Sequence, residues 1–172
     1  MNTHSILSKG EVEMIQIKEI TDNQKEEIKN LMIKNWGSTK MVSRGIIHDL
    51  SQLPGYVAAE RDEIQGIITY HIYQDECEIV SLDSFQENRG IGSRLLDAVI
   101  EKAKRTGCGR VWLITTNDNL HAMGFYQKRH FSMKALHLNA VNDARKLKPE
   151  IPLYSEEGIP IMHEIEFERL FI

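Results

Sequence analysis

Long apolar runs, a basic charge balance and a cysteine framework are all missing from this chain of 172 residues. No uninterrupted apolar stretch approaches the roughly 20 residues that cross a bilayer, so no transmembrane helix is expected. The first ten residues lack a basic start followed by an apolar stretch, so no secretory signal is visible. Lysine and arginine number 21 against 25 acidic residues, a net charge of −4, which argues against a dedicated nucleic-acid binder. Lys102, Lys104, Arg105, Arg145, Lys146 and Lys148 read as solvated charges on a helix face and a loop. Two cysteines, Cys77 and Cys108, form neither a disulfide framework nor a C-x-x-C pair, which suits a reducing cytoplasm. The histidines are scattered with no His-x-x-x-His pair, so metal catalysis has little support. The balance, 41% hydrophobic and 27% charged, is ordinary for a globular chain of one domain.

Residues 1–12 are polar and patternless and read as a tail, leaving 13–172 as a single domain. Met14–Ile20 alternates apolar with polar, the period of a half-buried strand. Thr21 and Gln24 form a capping box ahead of a helix that carries Ile28, Leu31, Met32 and Trp36 and closes at Gly37. A second short helix is expected from Ser43 to Leu50. Tyr56–Glu60, Ile64–Tyr73 and Cys77–Asp83 are rich in β-branched and aromatic residues and separated by short polar breaks, which predicts an antiparallel meander. After Arg89-Gly-Ile-Gly92 comes an amphipathic helix with Leu95, Leu96, Val99, Ile100 and Ala103 as its apolar stripe and Gly107 as its cap. Arg110–Thr116 reads as a strand, Leu120–Lys128 as a short helix, and Phe131–Asn139 and Ile165–Leu170 as closing strands. A loop bearing Pro149, Pro152, Gly158 and Pro160 lies between the last two. The chain is thus a mixed α/β domain.

The strand, glycine turn and helix at 78–105 are the most informative feature. A helix start offers unpaired N–H groups and a partial positive charge, a prepared anion site. Glycines let a phosphate approach the backbone, and Arg89 and Arg94 add positive charge. A dinucleotide fingerprint would need glycine where Leu95 stands, and a P-loop would need Gly-Lys-Ser or Gly-Lys-Thr, so both are excluded. A second cluster, Thr115-Thr-Asn-Asp-Asn119 followed by His121 to Phe131, comes one helix and one strand later.

With both clusters in this order, residues 13–140 resemble the GNAT superfamily of N-acetyltransferases. Gly90-Ile91-Gly92 is similar to the family's Q/R-x-x-G-x-G/A turn, and Asn119 through Tyr126 to its asparagine followed seven residues on by a tyrosine. The resemblance implies a mostly antiparallel, splayed sheet of about seven strands flanked by helices. It implies acetyl-CoA as co-substrate, its diphosphate held around Glu87, Asn88, Arg89, Gly90, Ile91, Gly92, Ser93 and Arg94. Pantetheine would pair with the backbone of Val80, Ser81 and Leu82, and Asn119 would belong to the same cofactor site. Tyr126 would return a proton to the departing thiolate, whose thiol has a pKa of about 8.5.

An attacking amine must first lose a proton. Glu76 and Glu78 stand two apart on one strand, so they share a face, and either could act as base directly or through water. Ile114 stands where other members carry a glutamate, so that route is closed. Glu87 replaces the usual Gln or Arg, Gly124 interrupts the helix presenting Tyr126, and His130 replaces a glycine. The function implied is acetyl transfer from acetyl-CoA to a primary amine, on a small molecule or a peptide, by direct transfer in a ternary complex. The alternative is a sensor or scaffold of the same fold that holds coenzyme A without turnover. Neither nucleic acid nor membrane is expected as a partner, and a long closing strand could pair between chains in a homodimer.

Overall fold

A computed structural model describes residues 14–171, so the stretch read as a tail lies outside the described residues. Strand β1 (Gln16–Glu19) leads into the capping box, where the Thr21 amide donates to Gln24 Oε1 at 3.1 Å. A single 3-10 turn, Asp22–Gln24, then opens helix α1 (Lys25–Trp36), which ends at Gly37 in the left-handed region. Ile28 and Met32 are its buried positions.

The expected helix from Ser43 to Leu50 does not form. The segment is a hairpin, β2 (Lys40–Ser43) and β3 (Ile46–Asp49), turned by Arg44 and Gly45 with φ of 48° and 77°. Two successive positive φ angles match the twist of a tight hairpin, and β-branched Val42, Ile46 and Ile47 favour strand over helix. Asp49 stops the hairpin by accepting from the Ser51 amide at 3.1 Å.

The meander forms as β4 (Gly55–Glu60), β5 (Glu63–Tyr73) and β6 (Glu76–Ser84), followed by α2 (Ile91–Thr106) and β7 (Arg110–Thr116). Then come α3 (Leu120–Gln127), β8 (Ser132–His137), α4 (Ala140–Leu147) and β9 (Glu164–Leu170). The expected loop therefore contains a helix, α4. Val141 and Ala144 are its buried residues, and its Arg145 is no solvated charge. That guanidinium donates to the carbonyls of Ile151 at 3.1 Å, Pro152 at 2.5 Å and Ile161 at 2.7 Å, fastening the following loop to the helix.

Seven strands form one sheet in the order β1-β4-β5-β6-β7-β9-β8, antiparallel except between β6 and β7. Helix α2 covers one face, where its whole predicted stripe is buried against Ile68, Tyr70 and Ile79. Each such Leu, Ile or Val contributes roughly 1.5–3 kcal/mol by burial. Gly66 sets the closeness of approach, since a Cβ there would stand 2.6 Å from Ile91 Cγ2. Helix α1 covers the other face with Ile28 and Met32 on Val57, Ile67 and Val80. Among the described residues, no helix is long and apolar enough to cross a membrane.

Candidate active site

Strands β6 and β7 pair only through Glu76–Ile79 and Arg110–Leu113. Beyond Ile79 they part: Ser81–Ser84 stays with β5 while Ile114–Thr116 stays with β9. Ser81 faces Thr69 and Ile79 faces Tyr70, so Val80 is a bulged residue with no partner on β5. The bulge adds local twist and opens a wedge between parallel strands. Backbone groups of Val80, Ser81 and Leu82 border that wedge without β7 as neighbour, an edge able to pair with an extended ligand.

The wedge runs to the start of α2. Gly90 takes φ of 69° immediately before the helix, and a Cβ there would meet nothing within 4 Å, so backbone conformation rather than crowding calls for glycine. Gly92 differs, because a Cβ there would touch the Phe125 ring at 3.4 Å. Asn88 also has positive φ, and Glu87, Asn88 and Arg94 are exposed around the turn. The Arg89 guanidinium grips Glu60 through both nitrogens at 2.8 and 2.9 Å, so it is already paired. Arg129, unflagged by its sequence context, reaches the helix start instead. It donates to Ser93 Oγ at 3.0 Å from Nε while lying 3.6 Å over the Phe125 ring.

Tyr126 is presented by α3, whose first turn Asn119 caps by accepting from the Ala122 amide at 3.0 Å. It is 7% exposed and packed edge-on to Phe125 and Phe131. Among the described residues nothing hydrogen-bonds its hydroxyl. Burial raises the phenol pKa above its ordinary value, and the nearby Asp83 charge raises it further, so the hydroxyl keeps its proton. His130 adopts φ of 66°, in the left-handed region that glycine enters most readily. Space around Gly124 is open.

The paired carboxylates differ in surroundings. Glu76 is held in a fork by Arg110, Nε to Oε1 at 2.8 Å and Nη2 to Oε2 at 2.9 Å. Glu78 is buried at 5% exposure and accepts from Ser43 Oγ at 2.5 Å. His48 Nε2 lies 3.5 Å from its other oxygen without the alignment of a hydrogen bond. Burial raises the Glu78 pKa, and burial also lowers that of His48, so both incline to neutrality.

A third carboxylate, Asp83, was missed from sequence. It pairs with Ile67 on the α1 face, as Glu78 does with His71, because the Val80 bulge reverses the alternation between them. The Trp36 indole donates to its Oδ2 at 3.3 Å, and burial pushes its pKa up to about 6.

Comparison with known proteins agrees with this fold. The model of the acetyltransferase (GNAT) family matches residues 20–131. The chain is similar to the uncharacterized protein YdhI of Bacillus subtilis (strain 168), 48% identical over 147 residues, covering 85% of this chain and 92% of YdhI. Its fold is like that of the IAA acetyltransferase from Bacillus cereus ATCC 14579, with TM-score 0.71, 22% identity, and coverage of 92% of this chain and 100% of that one. It is also like that of a GNAT family acetyltransferase from Elizabethkingia anophelis with acetyl-CoA bound, with TM-score 0.65, 20% identity, and coverage of 91% and 98%. The chain belongs to the acetyltransferase (GNAT) family, enzymes whose co-substrate is acetyl-CoA.

Proposed function

We propose that this protein transfers the acetyl group of acetyl-CoA to a primary amine, directly, with both substrates bound. The observation that carries this reading is the wedge between β6 and β7, with anion-ready amides at one end and the Tyr126 phenol near Asp83. The thioester would extend along Val80–Leu82 and set its diphosphate on Asn88–Arg94, where backbone N–H groups and the α2 dipole favour anions. Arg129 and Arg94 supply positive charge there, while Arg89 steadies the turn through Glu60.

The amine nitrogen attacks the thioester carbonyl, and backbone donors on the free β6 edge stabilise the developing oxyanion. The carbon–sulfur bond then breaks, the sulfur keeping its electron pair, and Tyr126 gives it a proton. The phenol recovers that proton from solvent. The ammonium proton leaves to a carboxylate on the α1 face. Glu78 suits this role better than Glu76, whose two oxygens both serve Arg110. Asp83, with its pKa near 6, is a second acceptor within the wedge.

The test is thiol release from acetyl-CoA measured across a library of amines, with the acetylated product identified by mass. Amine-dependent release supports the reading. Tight acetyl-CoA binding with no amine consumed would instead make the protein a coenzyme A sensor.

A further inference from the structure

A cavity of about 380 Å³ opens between the β2–β3 turn and α4. Arg44, His137, Ala140, Asp143, Leu147 and Glu164 are among its lining residues. Its two walls are fastened together, since Lys148 Nζ at the end of α4 donates to the Lys40 carbonyl of β2 at 2.8 Å. This size falls in the range of about 300–1,000 Å³ that holds small ligands.

The charge pattern in the cavity is unbalanced. Glu164 is 3% exposed, and its Oε2 has no hydrogen-bond partner. A buried polar atom left unpaired costs about 1–3 kcal/mol, more when charged. Burial raises the pKa of Glu164, and Arg44 and His137 oppose that rise only in part, because both side chains reach towards Glu166. His137 Nε2 lies 3.0 Å from Glu166 Oε2, and the Arg44 guanidinium lies 3.7 Å from the same oxygen and 5.8 Å from the Trp112 ring. Asp143 adds a further acid at the rim, held by Lys146 at 2.8 Å. Glu78 feels the charge of Arg44 ahead of those of Glu164 and Glu166, so the carboxylates nearest the sheet are only partly offset. A cationic group entering the cavity would give Glu164 Oε2 the partner it lacks. Ionised donors make hydrogen bonds roughly twice as strong as neutral ones.

Position relates this cavity to the reaction. Glu164 pairs with Thr116, the last residue of the β7 segment that borders the wedge. Neighbouring strands stand about 5 Å apart, so a ligand with one end at Glu164 can place its other end in the wedge across a short aliphatic chain. The Glu164 side chain points to the α1 face, since it alternates with Ile165 and shares the phase of Glu166, partner of Arg110.

We propose that this cavity anchors a second positive charge of the acceptor, with Glu164 Oε2 as its counter-ion, so that the acceptor is an aliphatic diamine or a longer polyamine. One amine would reach the thioester while the other stays protonated on Glu164. The proposal rests on the acetyl-transfer reading above for the first amine, and on the unpartnered Glu164 oxygen for the second.

Calorimetric titration of the full chain tests it without turnover. 1,4-Diaminobutane and 1-butylamine are compared, with and without coenzyme A, in the native protein and in Glu164→Gln. The native protein should bind the diamine at least tenfold more tightly than the monoamine, and Glu164→Gln should erase that preference while leaving coenzyme A affinity unchanged. Equal binding of the two amines, or a preference that survives Glu164→Gln, overturns the proposal. Should Glu164→Gln fail to fold, Ala140→Trp fills the cavity from the side of α4. Loss of the diamine preference in that variant supports the site, and its retention refutes it. Coenzyme A is titrated separately, so a chain that binds the diamine but no coenzyme A would refute the acetyl-transfer reading and leave the cation site standing.

Discussion

Trp36 donates its indole N–H to Asp83 at 3.3 Å, joining the last turn of α1 to β6 where β7 has already departed. This bond favours the ionised carboxylate, but burial acts the other way and prevails, leaving the pKa at about 6. An unfolded aspartate titrates near 3.9. Between roughly pH 4 and 6 the native state therefore holds more protons than the unfolded one, and Asp83 makes stability fall as pH rises. Thermal unfolding of the native chain and of Asp83→Asn, compared at steps from pH 4 to 7, should show the variant gaining relative to the native chain up to about pH 6 and then levelling. A difference that stays flat across that window would contradict the assignment.

Tyr126→Phe keeps the packing against Phe125 and Phe131 and removes only the hydroxyl. Turnover with the preferred amine should drop by roughly 10²–10⁴-fold while acetyl-CoA affinity holds, the loss expected for a proton donor. Steady-state rates beside calorimetry of acetyl-CoA decide this, and unchanged turnover would remove the phenol from the chemistry.

Glu76 and Glu78 should part in their effects. Glu76→Gln loosens the fork with Arg110 and should lower the melting temperature with little change in kcat. Glu78→Gln should lower kcat at least tenfold and alter the acidic limb of its pH profile, since a base must be deprotonated to act. A matched pair of pH–rate profiles separates the two; identical profiles would place the base elsewhere.

Gly90 sits at φ of 69° in open space. Gly90→Val forces a β-branched residue into the left-handed region, at a cost of at least about 1–2 kcal/mol, and tilts the amides of the α2 start. Both the melting temperature and coenzyme A affinity should fall. Affinity that holds despite the lost stability would mean that the diphosphate does not use this turn.

Much of this arrangement was legible because local chemistry and final structure agree. The Gly37 and Gly107 caps and the Thr21 box report contacts within a few residues, and the α2 stripe and the meander show in periodicity and in short polar breaks. What escaped depended on longer reach. Ser43–Leu50 carries a helix-like spacing of apolar residues, and the Arg44-Gly45 turn that makes it a hairpin is not among the common Asn-Gly or Asp-Gly signals. Helix α4 is short and drew attention only as the start of a proline-bearing loop, yet Arg145 makes it the peg that holds that loop. Asp83 was hidden by the Val80 bulge, since a strand read with strict alternation places it opposite Glu78. Glu164 stands in no motif of the sequence. Its burial comes from β8, the hairpin and α4, elements distant in the chain.

The most direct test of the account is a structure of the complex with acetyl-CoA. It should show the diphosphate on the amides of Asn88–Arg94, pantetheine lying along Val80–Leu82 in the wedge, and the sulfur within hydrogen-bond reach of the Tyr126 hydroxyl. A ligand bound elsewhere, with the wedge closed or filled by solvent, would contradict it.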